Sequence, residues 1–137
     1  MPQNKHFIVI DDDALNNKIC RVCIEKIDKE ANVVTFTDPQ EGFDYVAKEY
    51  ARTDQSHNVT LFLDINMPMM NGWEFLELYD KLDPRVHSRV KIYILSSSVD
   101  KRDMERAKEN RHVVYYFIKP LTKETISLIT YAQQKKA

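Results

Sequence analysis

VTLFLDINMPMMNG, residues 59–72, starts as a strand and ends where a helix begins. Val59 to Leu63 is almost continuously apolar, the pattern of a strand covered on both faces in a parallel sheet. Asp64 then stands alone, a Met-Pro turn follows, and Asn71 occupies the N-cap position before a helical pattern that opens at Gly72. Neither core packing nor turn chemistry needs a carboxylate at position 64. Its reason must lie in what the rest of the chain brings beside it.

Four more short apolar runs flank this one: HFIVI (6–10), NVVTF (32–36), VKIYIL (90–95) and VVYYFI (113–118). The first and last share the almost continuously apolar character of residues 59–63 and are likewise expected to be covered on both faces. Helical periodicity fills 14–30, 39–52, 72–82, 101–110 and 122–133. Asp13, Asp38, Asn71, Asp100 and Thr122 stand as N-caps, and Pro39 falls at a first helical position. Strict strand-helix alternation repeated five times implies right-handed crossovers and an α/β, doubly wound, five-stranded parallel sheet with five helices. The stretches 51–58 and 83–89 read as polar loops.

At 137 residues the chain fits one domain, 1–137, with no internal repeat or linker. Its 20 basic and 21 acidic residues are interspersed and sum to a formal charge of -1, so no basic field exists to attract nucleic acid or an anionic membrane. No apolar run approaches the roughly 20 residues that span a bilayer, and the N-terminus lacks a secretory signal pattern. A cytoplasmic location is expected. Cys20 and Cys23 have CxxC spacing, but they fall with Ile19, Ile24 and Ile27 at helical intervals and read as structural thiols of one helix face. The four histidines, His6, His57, His87 and His112, are scattered and suggest no zinc site.

A doubly wound sheet binds its ligands beyond the carboxyl ends of its strands. Those ends carry Asp11-Asp12-Asp13, Asp64, Ser96-Ser97-Ser98 and Lys119-Pro120. Asp13 is accounted for as a cap. The remaining carboxylates would repel one another unless protonated or bridged by a cation, and an all-oxygen donor set selects a hard ion, Mg²⁺ or Mn²⁺. Such an ion leaves positions open for phosphoryl oxygens, Lys119 adds a second positive charge and Ser96 a hydroxyl donor. The missing role is a nucleophile, and Asp64 can fill it by forming an acyl phosphate.

The segments IVIDD (8–12), LDINMPMMNG (63–72), ILSS (94–97) and FIKP (117–120) stand in the order and at the separations of the response-regulator receiver domain of two-component signalling, which the chain resembles over nearly its whole length. The resemblance implies a flavodoxin-like sheet of strand order 2-1-3-4-5. It makes Asp64 the phosphoacceptor and Asp11 and Asp12 the acidic pair supporting Mg²⁺, with the backbone carbonyl of Asn66 joining them. Ser96 takes the place of the hydroxyl residue that swings toward the phosphoryl group, Lys119 that of the phosphate-contacting lysine, and Tyr116 that of the aromatic whose burial follows Ser96. Pro120 is expected to follow a cis peptide bond. Asn71 and Ser97 depart from the residues usual at their positions, commonly Asp and Ala.

The resemblance further implies a histidine kinase or histidine phosphotransfer protein as donor, and a downstream protein that reads the surface of the fourth helix, fifth strand and fifth helix. The chain is expected to be a phosphoacceptor signalling protein rather than an enzyme acting on other substrates, and to stand alone without an output domain. A receiver from a hybrid histidine kinase and a receiver-like module that is never phosphorylated are the alternatives. A dehalogenase-type aspartyl-phosphate enzyme is disfavoured because Asn66 stands where its second Asp belongs, and a nucleotide or flavin module because Gly42 and Gly72 are the sole glycines and form no phosphate loop.

Overall fold

A computed structural model describes residues 5–52 and 58–135, with side chains described through residue 131. Most of the loop expected at 51–58, including His57, lies outside the described residues. The elements run β1 (Lys5–Ile10), α1 (Ala14–Ile27), β2 (Asn32–Phe36), α2 (Pro39–Glu49), β3 (Asn58–Leu63), α3 (Gly72–Asp80), α4 (Pro84–Arg89), β4 (Val90–Ser96), α5 (Lys101–Glu109), β5 (Val113–Ile118) and α6 (Lys123–Lys135). Every strand pairs in parallel, in the order β2-β1-β3-β4-β5, so the doubly wound sheet and its strand order are as expected.

All five anticipated caps are made. Asp13 accepts from the Leu15 and Asn16 amides, Asp38 from Gln40, Asp100 from Arg102, and the Thr122 hydroxyl from Thr125. Asn71 and Glu74 form a reciprocal capping box that opens α3. Among the described residues there is one helix more than the expected five, because residues 84–89 coil into α4 instead of forming a polar loop. The cause is local: Asp83 accepts from the Arg85 amide and Pro84 sits in the first turn, the same Asp-Pro start that opens α2 at Asp38-Pro39.

Alternation along the strands sends side chains to two cores. Ile8, Ile10, Leu61, Leu63, Ile92 and Ile94 pack on one face beneath Val46 of α2 and Phe75, Leu76 and Tyr79 of α3. Phe7, Val9, Phe62, Tyr93 and Leu95 pack on the other beneath Cys20 and Ile24 of α1 and Ile126 and Ile129 of α6. Each of these fully buried aliphatic chains contributes about 1.5–3 kcal/mol, so the sheet is anchored from both sides. Of the expected α1 face, Cys20 and Ile24 are wholly buried, whereas Ile19 and Ile27 are exposed at the stripe's margins and Cys23 is half-buried. Both cysteines are free, and burial pushes the Cys20 thiol up to about 12, as befits a structural thiol.

One strand departs from expectation. β5 is apolar in sequence yet uncovered on much of its surface, with Val114 50 %, Tyr115 62 % and Ile118 47 % exposed. It is one of the sheet's two edges, next to β4 alone, and its register slips at Val114: Ile92 pairs with Val113 and Tyr93 with Tyr115. Tyr116 and Phe117 pack toward opposite cores, leaving Tyr115 on the outside beside Phe117 at 5.0 Å between rings.

Candidate functional site

Sheet hydrogen bonding continues one residue past the strand ends and so fixes the residues that follow. The Asp11 amide donates to Phe36 O at 3.1 Å, the Asp64 amide to Ile10 O at 3.0 Å and the Lys119 amide to Ser96 O at 2.9 Å. Asp11, Asp64 and Lys119 are therefore set by the ladder itself, not by loop conformation. Carboxylate oxygens of Asp11, Asp12 and Asp64 lie within 4.8 Å of one another. Asp11 and Asp64 are buried, while Asp12 is exposed at the rim.

Lys119 is the cation that meets them. Its Nζ lies 2.7 Å from Asp11 Oδ2 and 3.9 Å from Asp64 Oδ2. Burial works against the ammonium, yet its bond to Asp11 and the nearby Asp64 charge outweigh this and hold its pKa above the ordinary lysine value. The Asp64 carboxyl is pushed up to about 6, first by burial and next by the charge of Asp11; Lys119 and the Asn66 amide, 3.4 Å from Oδ1, pull the other way. One ammonium thus falls short of neutralising the group. An oxygen-only cluster, two of its three carboxylates buried and carrying surplus negative charge, fits a hard divalent cation, for which Asp11, Asp12 and Asp64 offer carboxylates and Asn66, in the loop just past Asp64, a backbone carbonyl.

Ser96 and Tyr116 belong to a neighbouring network. Ser96 is fully buried and its Oγ accepts from the Ser98 amide at 3.1 Å. The Tyr116 hydroxyl donates to Ser98 O at 2.8 Å, and the Ser98 hydroxyl donates to Asp103 Oδ2 at 2.7 Å while accepting from the Asp100 amide. Ser98 therefore joins the end of β4, the first turn of α5 and the ring of Tyr116. The Lys119–Pro120 bond is cis, as expected.

Two polar residues that sequence reading passed over lie inside the cluster's wall. Asn16 donates from Nδ2 to Asp11 Oδ2 at 2.8 Å, and Asn17 donates to the carbonyls of Asp11, 3.0 Å, and Phe36, 3.2 Å. The signal in the sequence was a pair of adjacent asparagines, poor helix formers, early in a helix that follows an acidic turn. Met69 is 74 % exposed, so of the turn methionines Met67 alone is buried.

Gly72 shapes the loop beyond Asp64. Its amide donates to Ile65 O at 3.1 Å, and a Cβ there would lie 2.8 Å from Asp64 O and from Ile65 Cα. These are backbone atoms that cannot turn aside. A Gly72→Ala protein should lose about 2–4 kcal/mol in denaturant unfolding through overpacking. A loss below about 0.5 kcal/mol would refute this close approach.

A family model described as the response regulator receiver domain matches residues 7–130. Among solved structures, a response regulator receiver protein from Dyadobacter fermentans is 26% identical, with a TM-score of 0.83 over 93% of this chain and 96% of that one. A two component response regulator from Cytophaga hutchinsonii is 25% identical, with a TM-score of 0.84 over 96% of this chain and 97% of that one. A CheY-like receiver domain protein from Methanospirillum hungatei, 20% identical over 98% of this chain and 100% of that one, shares the fold with a TM-score of 0.74. No curated protein matches the sequence.

Proposed function

The chain belongs to the response regulator receiver domain family of two-component signalling, and on that premise we propose that Asp64 accepts a phosphoryl group from a phosphohistidine on a kinase or phosphotransfer protein. The observation that carries this reading is the placement of a buried Asp64 beside Asp11, Asp12 and Lys119 at the carboxyl edge of a parallel sheet.

In the proposed step an Asp64 carboxylate oxygen bonds to phosphorus as the phosphorus–nitrogen bond of the donor breaks, and the imidazole keeps the electron pair. Attack by water later returns inorganic phosphate and the free carboxylate. The Asp11, Asp12 and Asp64 carboxylates and the Asn66 carbonyl would hold a Mg²⁺ or Mn²⁺ ion, which would supply charge neutralisation at the phosphoryl oxygens. The ladder bond from the Asp64 amide to Ile10 O holds the nucleophile's backbone still, and Lys119 stands close enough to turn toward a new anionic group on Asp64. The pKa of about 6 leaves Asp64 mostly ionised at neutral pH, ready to attack.

The readout is a change of surface. Ser96 moving toward the phosphoryl group would release the Ser98 amide from its Oγ and disturb the Ser98 contacts to Asp103, Asp100 and Tyr116. Those contacts border a groove of ≈ 640 Å³ between α5 and β5, lined by Met104, Ala107, Val113, Tyr115 and Tyr116 among others. A downstream protein that prefers one groove shape would read the phosphoryl state by differential affinity. The fourth helical segment of the expected reading surface is α5, whose buried side is limited to Ala107, so little packing opposes its displacement.

Incubation with acetyl phosphate and Mg²⁺ is expected to add one phosphoryl group, acid-stable and labile to hydroxylamine, that disappears when a chelator is present. Incorporation that ignores the chelator would overturn the metal-assisted reading.

A further inference from the structure

We infer that Asn16 is a positioning residue that holds the Asp11 carboxylate in place when Lys119 turns away from it; the inference rests on the phosphoacceptor reading above. The Asp11 carboxylate is held on both oxygens. Oδ1 accepts from the Asp13 amide at 2.9 Å, and Oδ2 accepts from two donors, Lys119 Nζ at 2.7 Å and Asn16 Nδ2 at 2.8 Å. Lys119 is mobile in principle, a flexible chain whose head also lies 3.9 Å from Asp64 Oδ2. Asn16 is fixed: it is 7 % exposed, sits in α1 under the Asp13 cap, and its amide also approaches Cys20 Sγ at 3.7 Å.

The chemistry explains an amide at this position. A second cation would lower the site's need for a metal, a carboxylate would add a further negative charge, and an apolar chain would leave Asp11 Oδ2 with Lys119 alone. A neutral donor orients the carboxylate and leaves its charge available. In the resting protein Asn16 and Lys119 share Oδ2, so losing the amide is partly covered. Once Lys119 reaches toward a phosphoryl group on Asp64, Asn16 becomes the remaining side-chain donor to that oxygen. The Asn17 amide reinforces the arrangement by tying the same turn of α1 to the Asp11 and Phe36 carbonyls.

The test uses Asn16→Leu and Asn16→Ala in the full chain, with Mg²⁺ as the probe. Unfolding without metal should stay close to the parent, since Lys119 still covers Oδ2. Calorimetric Mg²⁺ affinity should change little in the single variants but weaken about tenfold when Asn16→Ala is made in a Lys119→Ala protein, the scale seen when a ligand's supporting hydrogen bond is removed; with Lys119 present, the Mg²⁺ concentration giving half-maximal acetyl phosphate incorporation should rise by a similar factor. At saturating Mg²⁺ the incorporation rate should largely recover, a split that a general packing defect would not produce. A parent-like half-maximal Mg²⁺ concentration in both single variants, or no loss of Mg²⁺ affinity on adding Asn16→Ala to the Lys119→Ala protein, with the parent binding Mg²⁺ normally, would overturn the role of Asn16 alone. A parent that binds no Mg²⁺ would overturn the phosphoacceptor reading and this inference with it.

Discussion

An Asp64→Asn protein treated with acetyl phosphate and Mg²⁺ is expected to take up no phosphoryl group, while melting at a higher temperature than the parent at pH 7.5. The first half follows from the proposed nucleophile: an amide oxygen at the same place lacks the negative charge that attacks phosphorus. The second half follows from electrostatics. Asp64 is buried next to Asp11, and its carboxyl titrates near 6, above the ordinary value of 3.8.

A carboxyl whose folded-state pKa is raised keeps its proton longer in the folded than in the unfolded chain. From about pH 4 to about pH 6 the folded state therefore binds more protons, and stability contributed by this group falls as pH rises through that window. Above it the ionised Asp64 costs on the order of 1–3 kcal/mol. Removing the charge recovers that amount at pH 7.5, and the gain should fade below about pH 4. Mg²⁺ should raise the parent's melting temperature at pH 7.5 and the variant's much less. Mass spectrometry and thermal melts across pH check both halves. A variant that is still modified, or that melts below the parent at pH 7.5, would contradict the assignment of Asp64.

Lys119→Ala should produce the opposite stability change. Its ammonium makes the 2.7 Å ion pair with Asp11 and is the near cation for Asp64, so its removal leaves two buried carboxylates facing each other. Breaking a buried pair from one side costs about 3–5 kcal/mol, and the partial exposure of Lys119 brings the expectation to about 2–4 kcal/mol in metal-free buffer. Mg²⁺ should restore part of the loss, so its thermal upshift should exceed that of the parent. Metal binding is expected to survive. Partner affinity should cease to respond to phosphorylation, because Lys119 is the side chain proposed to sense the phosphoryl group. Metal-free stability equal to the parent's would show that the ion pair is not a net support of the fold.

Much of this molecule was legible because it is written locally. Each strand is a short apolar run, and each helix has its own start signal, from Asp13 to Thr122, with no distant residue needed to complete it. α4 belongs in the same category, since Asp83-Pro84 repeats the signature of Asp38-Pro39, yet the polar residues after it lack the apolar periodicity that separates a helix from a loop. Gathering Asp11, Asp12, Asp64 and Lys119 at one edge also follows from position, because each lies within two residues of the end of a parallel strand.

Local pattern could not say which strand is left uncovered. Val114, Tyr115 and Ile118 read as a buried run, and their exposure arises because β5 has β4 on one side and solvent on the other. Nor could it reveal that Asn16, rather than another residue of α1, meets Asp11 Oδ2, or that Lys119 rests on Asp11 rather than on Asp64. From its sequence alone this protein's elements other than α4, their parallel stacking and the acids at its strand ends were determined, since hydrophobic period and capping act within a few residues. Its edge exposure and the pairing of its charges were decided by tertiary structure, since burial and Coulomb energy depend on neighbours that only the assembled sheet brings together.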